Sequence, residues 1–290
     1  MYKRQFHGIS AYDKKTGECS KKQDYSKVFG DTLIKLAEND PKIVAVTAAM
    51  KDGTGLKEFA QKFPDRFFDV GIAEQHSLGL IAGMAKAGLK PVLPIYSSFL
   101  QRGYDQIIHD IALSNIPVTV CIDRAGIVGN DGETHQGIFD LSFLSSIPNL
   151  VIMAPKNFEE LEKMLEFGVN IDKPVFIRYP RGGENYKFEK VEKIELGKSE
   201  IIQNGTDLSI IAIGKMVGRA KEIANLLPEK SIEIINARFL KPLDEKTILK
   251  SIQKTKHVVT IEDNLLRGGM GTAIIAVSYT HLTLPTTSRV

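Results

Sequence analysis

A carboxylate follows a short apolar strand and a glycine in the segment Asp69-Val-Gly-Ile-Ala-Glu74-Gln-His76. This pattern places Glu74 in the first turn of a predicted helix, near the carboxyl ends of parallel strands, where open α/β sheets bind their ligands. The alternative is that Glu74 only complements the helix dipole, which stabilises a helix by about 0.3 to 1 kcal/mol. The spacing alone leaves both interpretations open.

Two further strand ends carry aromatic and basic side chains. The segment Tyr96-Ser-Ser-Phe99-Leu-Gln-Arg102 could stack on a ring and bind an anion, although aromatic residues at helix starts more often pack in a core. The segment Arg178-Tyr-Pro-Arg181-Gly ends another predicted strand. Arginines at such a position favour bidentate recognition of phosphate or carboxylate, and a plain surface turn is the alternative.

A long glycine-rich segment runs from Asp123 to Gly137, with four glycines within twelve residues. Long loops without secondary structure are uncommon unless they are functional. Arg124, Asp131 and His135 supply the groups that anion binding and proton transfer require. A metal site on Asp131 and His135 is an alternative, but it has too few ligands.

The elements that would position these residues alternate along the chain. Short apolar runs alternate with amphipathic stretches from about residue 25, which is typical of parallel strands joined by crossover helices. The first alternation predicts strands over residues 43–48, 67–70, 91–96, 117–123, 150–154 and 174–178, and helices over 55–63, 73–86, 98–113 and 158–168. A smaller second alternation predicts strands over 208–213, 232–235 and 257–262, helices over 215–227 and 244–255, and a glycine turn at 267–271 that enters a last helix.

The predicted fold class is therefore α/β, with two layered domains built on parallel or mixed sheets. The first domain covers residues 25–182, a linker covers 183–197, and an incomplete second domain covers 198–277. Residues 1–24 are interpreted as a foreign start followed by an interdomain linker. Residues 278–290 are interpreted as a foreign tail, because they resemble translated sequencing-adapter read-through. A disordered native tail is the alternative.

Composition excludes several classes of protein. The chain has 290 residues, of which 43% are hydrophobic and 25% charged, so neither a disordered nor a membrane protein is indicated. The net charge is +3 and the basic residues are scattered, so nucleic-acid binding is not indicated either. Cys19 and Cys121 are too few for a disulfide framework or a cysteine metal site, which fits a reducing cytoplasm.

Taken together, these segments resemble the 1-deoxy-D-xylulose-5-phosphate synthases, a family of thiamine-diphosphate enzymes in the transketolase superfamily. The resemblance covers about residues 6–276 and rests on the four segments above, which occur in the family's order and spacing. It implies a transketolase-like pyrimidine-binding domain followed by most of a transketolase C-terminal domain. The family's N-terminal domain, which would carry the ligands of Mg²⁺ and of the diphosphate, is expected to be missing.

The resemblance implies a cofactor-binding set and a catalytic set. Glu74 is similar to the glutamate that hydrogen-bonds the aminopyrimidine ring of thiamine diphosphate, and it belongs to both sets. Phe99 is similar to the residue that stacks on that ring, and Ile72 is a further cofactor contact. His135 is similar to a histidine that transfers a proton or orients a carbonyl, and His7 to a linker histidine that reaches the active site.

A further set is implied for the acceptor substrate. It combines one phenol, three guanidinium groups and one carboxylate: Tyr96, Arg102, Arg124, Asp131 and Arg181. Arg124 and Arg181 are the best candidates for binding its phosphate. The resemblance implies no metal ligand within this chain.

The implied reaction is the transfer of a two-carbon unit from pyruvate to glyceraldehyde 3-phosphate, which yields 1-deoxy-D-xylulose 5-phosphate and carbon dioxide. This is the first step of the non-mevalonate isoprenoid route, and it also feeds thiamine and pyridoxal synthesis. The family implies thiamine diphosphate and Mg²⁺ as cofactors, a homodimer and a cytoplasmic location. We expect the chain to be inactive alone. The alternatives are a split-subunit enzyme that needs a separate diphosphate-binding chain, and a non-catalytic assembly paralogue.

Overall fold

The structure is a computed structural model, which describes residues 23–188 and 193–281. Its helices are α1 Tyr25–Asn39, α2 Lys57–Lys62, α3 Glu74–Lys86, α4 Ser97–Leu100, α5 Tyr104–Gln106, α6 Asp140–Ser145, α7 Phe158–Asn170, α8 Met216–Leu226, α9 Glu245–Thr255 and α10 Met270–His281. Its strands are β1 Ile43–Thr47, β2 Phe67–Asp69, β3 Lys90–Tyr96, β4 Thr119–Asp123, β5 Val151–Met153, β6 Val175–Arg178, β7 Glu200–Gln203, β8 Leu208–Ala212, β9 Ile232–Asn236, β10 Phe239–Lys241 and β11 Val258–Ile261. No helix in the described ranges has the length and apolar character needed to cross a membrane.

The first sheet has seven strands in the order β10-β5-β6-β4-β3-β1-β2. All its neighbouring strands are parallel except β10 and β5. Every residue of β1, β4, β5 and β6 is buried, because helices cover both faces of this sheet. This explains why these strands show as mostly apolar runs in the sequence, although β4 ends in Asp123 and β6 in Arg178.

The second sheet has four strands in the order β11-β8-β9-β7. Strands β11, β8 and β9 are parallel, and β7 runs antiparallel to β9. The two layered α/β units with mixed sheets confirm the predicted fold class. Helix α10 continues to His281, four residues past the predicted domain end at 277.

The sequence did not predict β10, which begins at Phe239 and pairs antiparallel with β5. This strand follows β9 of the second sheet, yet it forms an edge of the first. Three residues are too few to show a period of two, so only its tertiary pairing defines it. Helices α1 and α6 and strand β7 were also not predicted.

The single helix predicted over 98–113 is wrong in detail. The run consists of α4, a 3₁₀ turn over Gln101–Gly103, α5 and a π-helical segment over Ile107–Ala112. A Cβ atom at Gly103 would lie 2.0 Å from Cδ1 of Leu78 in α3. The close approach therefore requires glycine, and it brings α4 and the following turn against the helix that starts with Glu74.

A buried charge network joins the two units. Glu160 of α7 is 0% exposed, accepts a hydrogen bond from Nδ2 of Asn236 at 3.0 Å, and lies 2.8 Å from Nε of Arg238. Lys156 pairs with Glu200 of β7 beside them. Charges removed from water are costly unless they are paired, and these groups are paired with one another. The network therefore fixes the second sheet against α7.

Candidate active site

The predicted site residues meet at the carboxyl ends of neighbouring strands. Tyr96 ends β3, Asp123 ends β4 and Arg178 ends β6, and these three strands are adjacent in the first sheet. Glu74 is the first residue of α3, which follows β2. The parallel topology thus brings the four sequence segments to one edge, as open α/β sheets do at their ligand sites.

Glu74 is ion-paired with Arg102. The glutamate is 3% exposed, and its Oε1 lies 2.5 Å from Nη1 of Arg102. The guanidinium carbon of Arg102 lies 5.0 Å from the ring centroid of Phe99. Arg102 compensates the burial of the Glu74 charge and connects it to the aromatic part of the site. The resemblance assigned Arg102 to the acceptor, whereas in the structure its guanidinium contacts the Glu74 carboxylate and the Phe99 ring.

Three rings form the middle of the site. The centroid of Phe99 lies 5.6 Å from that of Tyr96 and 5.3 Å from that of His135. The centroids of Tyr96 and His135 are 6.0 Å apart. All three rings are half-buried, so part of each remains open to a ligand. Burial raises the pKa of the Tyr96 phenol above its ordinary value, which keeps the hydroxyl protonated as a hydrogen-bond donor.

Two arginines share one carboxylate at the outer end of the site. Nε of Arg124 lies 3.0 Å from Oδ2 of Asp131, and Nη1 of Arg181 lies 2.5 Å from Oδ1. The guanidinium of Arg124 also stacks over the Tyr96 ring at 3.8 Å and donates to the carbonyl oxygen of Gly53 at 3.0 Å. Nη1 of Arg124 also lies 3.5 Å from Oδ2 of buried Asp123, so the two guanidinium groups face two carboxylates. Both arginines line a cavity of about 360 Å³.

Asp123 is buried beneath this group and was not predicted as a site residue. Its Oδ1 accepts the backbone N–H of Arg124 at 2.6 Å, and its Oδ2 accepts the hydroxyl of Ser26 at 2.7 Å. Arg124 has φ of +57°, which is unfavourable for a residue with a side chain. The Asp123 carboxyl therefore helps to hold the backbone that directs the Arg124 side chain. The only sequence signal was an acidic residue at the end of an apolar strand.

Asp123 gives a testable pH dependence. Burial raises its pKa from 3.8 to about 6, so the folded protein binds this proton more tightly than the unfolded chain does. The free energy of unfolding should therefore decrease as pH rises from about 4 through about 6, by about 3 kcal/mol. Urea unfolding of this chain across that range measures the decrease. Asp123→Asn should remove this dependence of the unfolding free energy on pH. Val120→Ala, on the same strand, should lower the unfolding free energy at every pH but leave its pH dependence unchanged. An unchanged slope in Asp123→Asn would contradict the assignment.

Eight of the predicted residues form one continuous series of contacts: Glu74, Arg102, Phe99, Tyr96, His135, Arg124, Asp131 and Arg181. Ile72 precedes α3 and is 84% exposed. His7 lies outside the described residues. In the ranges that the structure covers, no three His, Cys, Asp or Glu side chains converge as metal ligands. The carboxylate of Asp131 is ion-paired with Arg124 and Arg181.

Comparison with protein families agrees with this geometry. Residues 21–185, more than half of the chain, match the transketolase pyrimidine-binding domain, and residues 197–289 match the transketolase C-terminal domain. The chain belongs to the transketolase family. The second match extends through the segment that the sequence suggested was a foreign tail.

Curated relatives within the transketolase family are named 1-deoxy-D-xylulose-5-phosphate synthase. The chain is 54% identical to the Halothermothrix orenii protein over 93% of its own length, and 52% identical to that of Natranaerobius thermophilus over 95%. It is 53% identical to a Clostridium perfringens protein over 93%. It spans only 44 to 45% of the length of these relatives.

Solved structures of the transketolase family share the fold. A structure described as a split gene transketolase, an inactive β4 tetramer, superposes with a TM-score of 0.82 at 29% identity. This superposition covers 90% of the present chain and 87% of the other. Transketolase from Pichia stipitis superposes with a TM-score of 0.72 at 18% identity, over 88% of this chain and 43% of that one.

Proposed function

We propose that this chain is the pyrimidine-binding and C-terminal part of a 1-deoxy-D-xylulose-5-phosphate synthase. The observation that carries the proposal is the continuous series of contacts from buried Glu74 through the three rings to Arg124 and Arg181. It combines one end suited to a nitrogen heterocycle with another suited to a phosphate. The names of relatives at 52 to 54% identity support the same activity.

The first end fits the pyrimidine of thiamine diphosphate. Glu74 is a buried carboxylate that can accept a hydrogen bond from a ring nitrogen, and the half-buried ring of Phe99 can stack on a planar group. Arg102 connects the two and holds the Glu74 side chain in place. When bound, thiamine diphosphate supplies a carbon nucleophile and an electron sink for decarboxylation. We propose that the ligands of its diphosphate and of Mg²⁺ lie in a part of the enzyme that this chain does not contain.

The other end fits a small phosphorylated acceptor. Arg124 and Arg181 present N–H groups that match phosphate oxygens, and the protonated Tyr96 hydroxyl can donate a further hydrogen bond. The two arginines line a cavity of about 360 Å³, which has room for a triose phosphate. Tyr96 and His135 are not among its lining residues, and four carboxylates line it as well: Asp24, Asp31, Asp52 and Glu58. His135 lies between the two ends and would give or take a proton at the carbonyl oxygen of the acceptor. Pyruvate and glyceraldehyde 3-phosphate are the proposed substrates.

On this proposal the whole enzyme catalyses the first step of the non-mevalonate isoprenoid route and also feeds thiamine and pyridoxal synthesis. We further propose that it acts in the cytoplasm as a homodimer. The proposed division of the chain is a pyrimidine-binding domain over residues 25–182, a linker over 183–197 and a C-terminal domain over 198–277.

A split-subunit enzyme is the second candidate. The match to the split gene transketolase structure covers 90% of this chain and 87% of that one, so the two chains are similar in extent. In that case a separately encoded chain would supply the diphosphate-binding domain. An adjacent reading frame that encodes this domain and ends at a true stop codon would favour the split enzyme.

An activity assay tests the proposal. The purified chain with thiamine diphosphate, Mg²⁺, pyruvate and glyceraldehyde 3-phosphate should form no product, because the proposed ligands of the diphosphate and of Mg²⁺ lie outside it. A chimera, in which this chain replaces the matching residues of the Halothermothrix orenii relative, should form 1-deoxy-D-xylulose 5-phosphate and carbon dioxide. A chimera that folds and binds the cofactor but forms neither would contradict the proposed reaction. Product from the chain alone would contradict the proposal that the ligands of the diphosphate and of Mg²⁺ lie outside this chain.

A further inference from the structure

A carboxylate from the C-terminal unit, that of Asp263, contacts the segment that carries Arg124, Asp131 and His135. Asp263 lies just after β11 and has only 11% of its side chain exposed. Its two carboxylate oxygens lie 3.2 and 3.3 Å from the backbone nitrogen of Ile127 and accept its N–H. Ile127 lies in the segment over residues 124–137, here called the acceptor loop, which carries Arg124, Asp131 and His135.

The contact is at the base of the acceptor loop. Gly126 and Gly137 exchange backbone hydrogen bonds of 2.7 and 2.8 Å, which close the base of the loop. Gly126 has φ of +81°, and a Cβ atom there would lie 2.0 Å from Oδ2 of Asp263. The carboxylate therefore packs directly against a backbone that only glycine allows. The Ile127 side chain is 67% exposed, so its burial does not anchor this point of the loop.

The rest of the acceptor loop is held by its own hydrogen bonds. Oε1 of Gln136 accepts the N–H of Val128 at 2.9 Å, and Nε2 of Gln136 donates to the carbonyl oxygen of Gly132 at 2.7 Å. These bonds connect the two sides of the loop without using the C-terminal unit. The loop therefore has its own internal shape. Its base is held by Asp263 together with two backbone hydrogen bonds, from Ala125 to the carbonyl oxygen of Tyr179 at 3.0 Å and from Leu265 to that of Ile138 at 3.1 Å.

Two cations hold Asp263 in turn. Nζ of Lys215, at the start of α8, lies 2.5 Å from Oδ2 of Asp263. Arg178, at the end of β6, donates to the backbone carbonyl oxygen of Asp263 at 3.0 Å and pairs with buried Asp140 at 3.0 Å. Asp263 is thus held from both domains, its backbone by Arg178 and its carboxylate by Lys215. The charge of the carboxylate is compensated by Lys215, which does not belong to the acceptor-binding set.

We propose that Asp263 is a positioning residue for acceptor binding, which acts through the backbone of the acceptor loop and is held by Lys215. The C-terminal unit then determines acceptor affinity without touching the acceptor. This inference rests on the proposed function for its kinetic consequence. The contact itself can be tested without any activity.

Hydrogen exchange of the purified chain tests the contact. The Ile127 amide should exchange slowly in the parent, and Asp263→Ala should accelerate its exchange about tenfold or more, because the hydrogen bond to a charged acceptor is lost. Asp263→Asn keeps an accepting oxygen but loses the charge pair with Lys215, so its effect should be smaller. Equal exchange in the parent and Asp263→Ala would overturn the proposal, whether or not the chimera is active.

Kinetics of the chimera test the consequence. Asp263→Ala should raise the KM for glyceraldehyde 3-phosphate about tenfold and leave the KM for pyruvate within about twofold. Glu262→Gln is the matched control, because Glu262 is the neighbour of Asp263 in the chain but accepts the N–H groups of Met270 and Gly271 at the start of α10. It should reduce thermal stability without changing the acceptor KM. Equal changes of both KM values in Asp263→Ala, or the same shift in the control, would overturn the positioning role. An inactive parent chimera would instead contradict the proposed function.

Discussion

Glu74→Gln in the chimera is expected to lower kcat by about 10² to 10⁴ while the protein remains folded. Glutamine has nearly the same shape as glutamate, and its carbonyl oxygen can still accept a hydrogen bond from Arg102. It lacks the negative charge that the proposed interaction with the cofactor requires. The measurement is kcat at saturating pyruvate and glyceraldehyde 3-phosphate, together with thermal unfolding followed by circular dichroism.

A matched control separates this role from simple helix capping. Glu245 occupies the first turn of α9, as Glu74 does in α3, but it lies outside the contact series of the site. If Glu74 only complemented its helix dipole, both glutamine substitutions would lower stability by about 0.3 to 1 kcal/mol and leave kcat unchanged. We expect only Glu245→Gln to behave in this way. Near-parent turnover in Glu74→Gln would refute its assigned role.

Arg124→Ala is expected to raise the KM for glyceraldehyde 3-phosphate by about one to two orders of magnitude. Its guanidinium is held by Asp131 and by the Tyr96 ring, so its N–H groups are already directed before a ligand binds. The KM for pyruvate should change little, because pyruvate lacks a phosphate. With unphosphorylated glyceraldehyde as the acceptor, the parent and the variant should have similar KM values.

Arg66 provides the control for Arg124. Its guanidinium stacks on the ring of Phe63 at 4.0 Å and donates to the carbonyl oxygen of Ala37 at 3.0 Å. Outside the site it therefore makes two of the kinds of contact that Arg124 makes, a ring contact and a hydrogen bond to a backbone carbonyl. Arg66→Ala should lower stability without a preference between the two substrates. An equal rise of both KM values in Arg124→Ala would indicate general misfolding and argue against phosphate recognition.

The parts of the fold that the sequence could predict are those set by local patterns. Strands β1 and β4 are buried along their whole length and are mostly apolar, apart from a threonine in each and Asp123 at the end of β4, so the sequence pattern could identify them. The residues at strand ends could likewise be identified as site candidates, because the direction of parallel strands brings those ends together.

Contacts between distant segments could not be predicted in this way. Arg102 lies 28 residues from Glu74, and Asp263 lies 136 residues from Ile127. No period or local spacing connects such positions, because their contact depends on how the elements pack. Asp123 was missed for a related reason, since its effect on Arg124 depends on burial and on a backbone conformation that sequence patterns do not show.

The pairing of β10 with β5 has a consequence for cooperativity. The sequence divides the chain at a linker over residues 183–197, yet the edge of the first sheet is completed by Phe239 and its neighbours from beyond that linker. Unfolding the second unit would expose the backbone groups of β5, and unpaired edges are prone to associate with other chains. We therefore expect the two predicted modules to unfold together, in one cooperative transition.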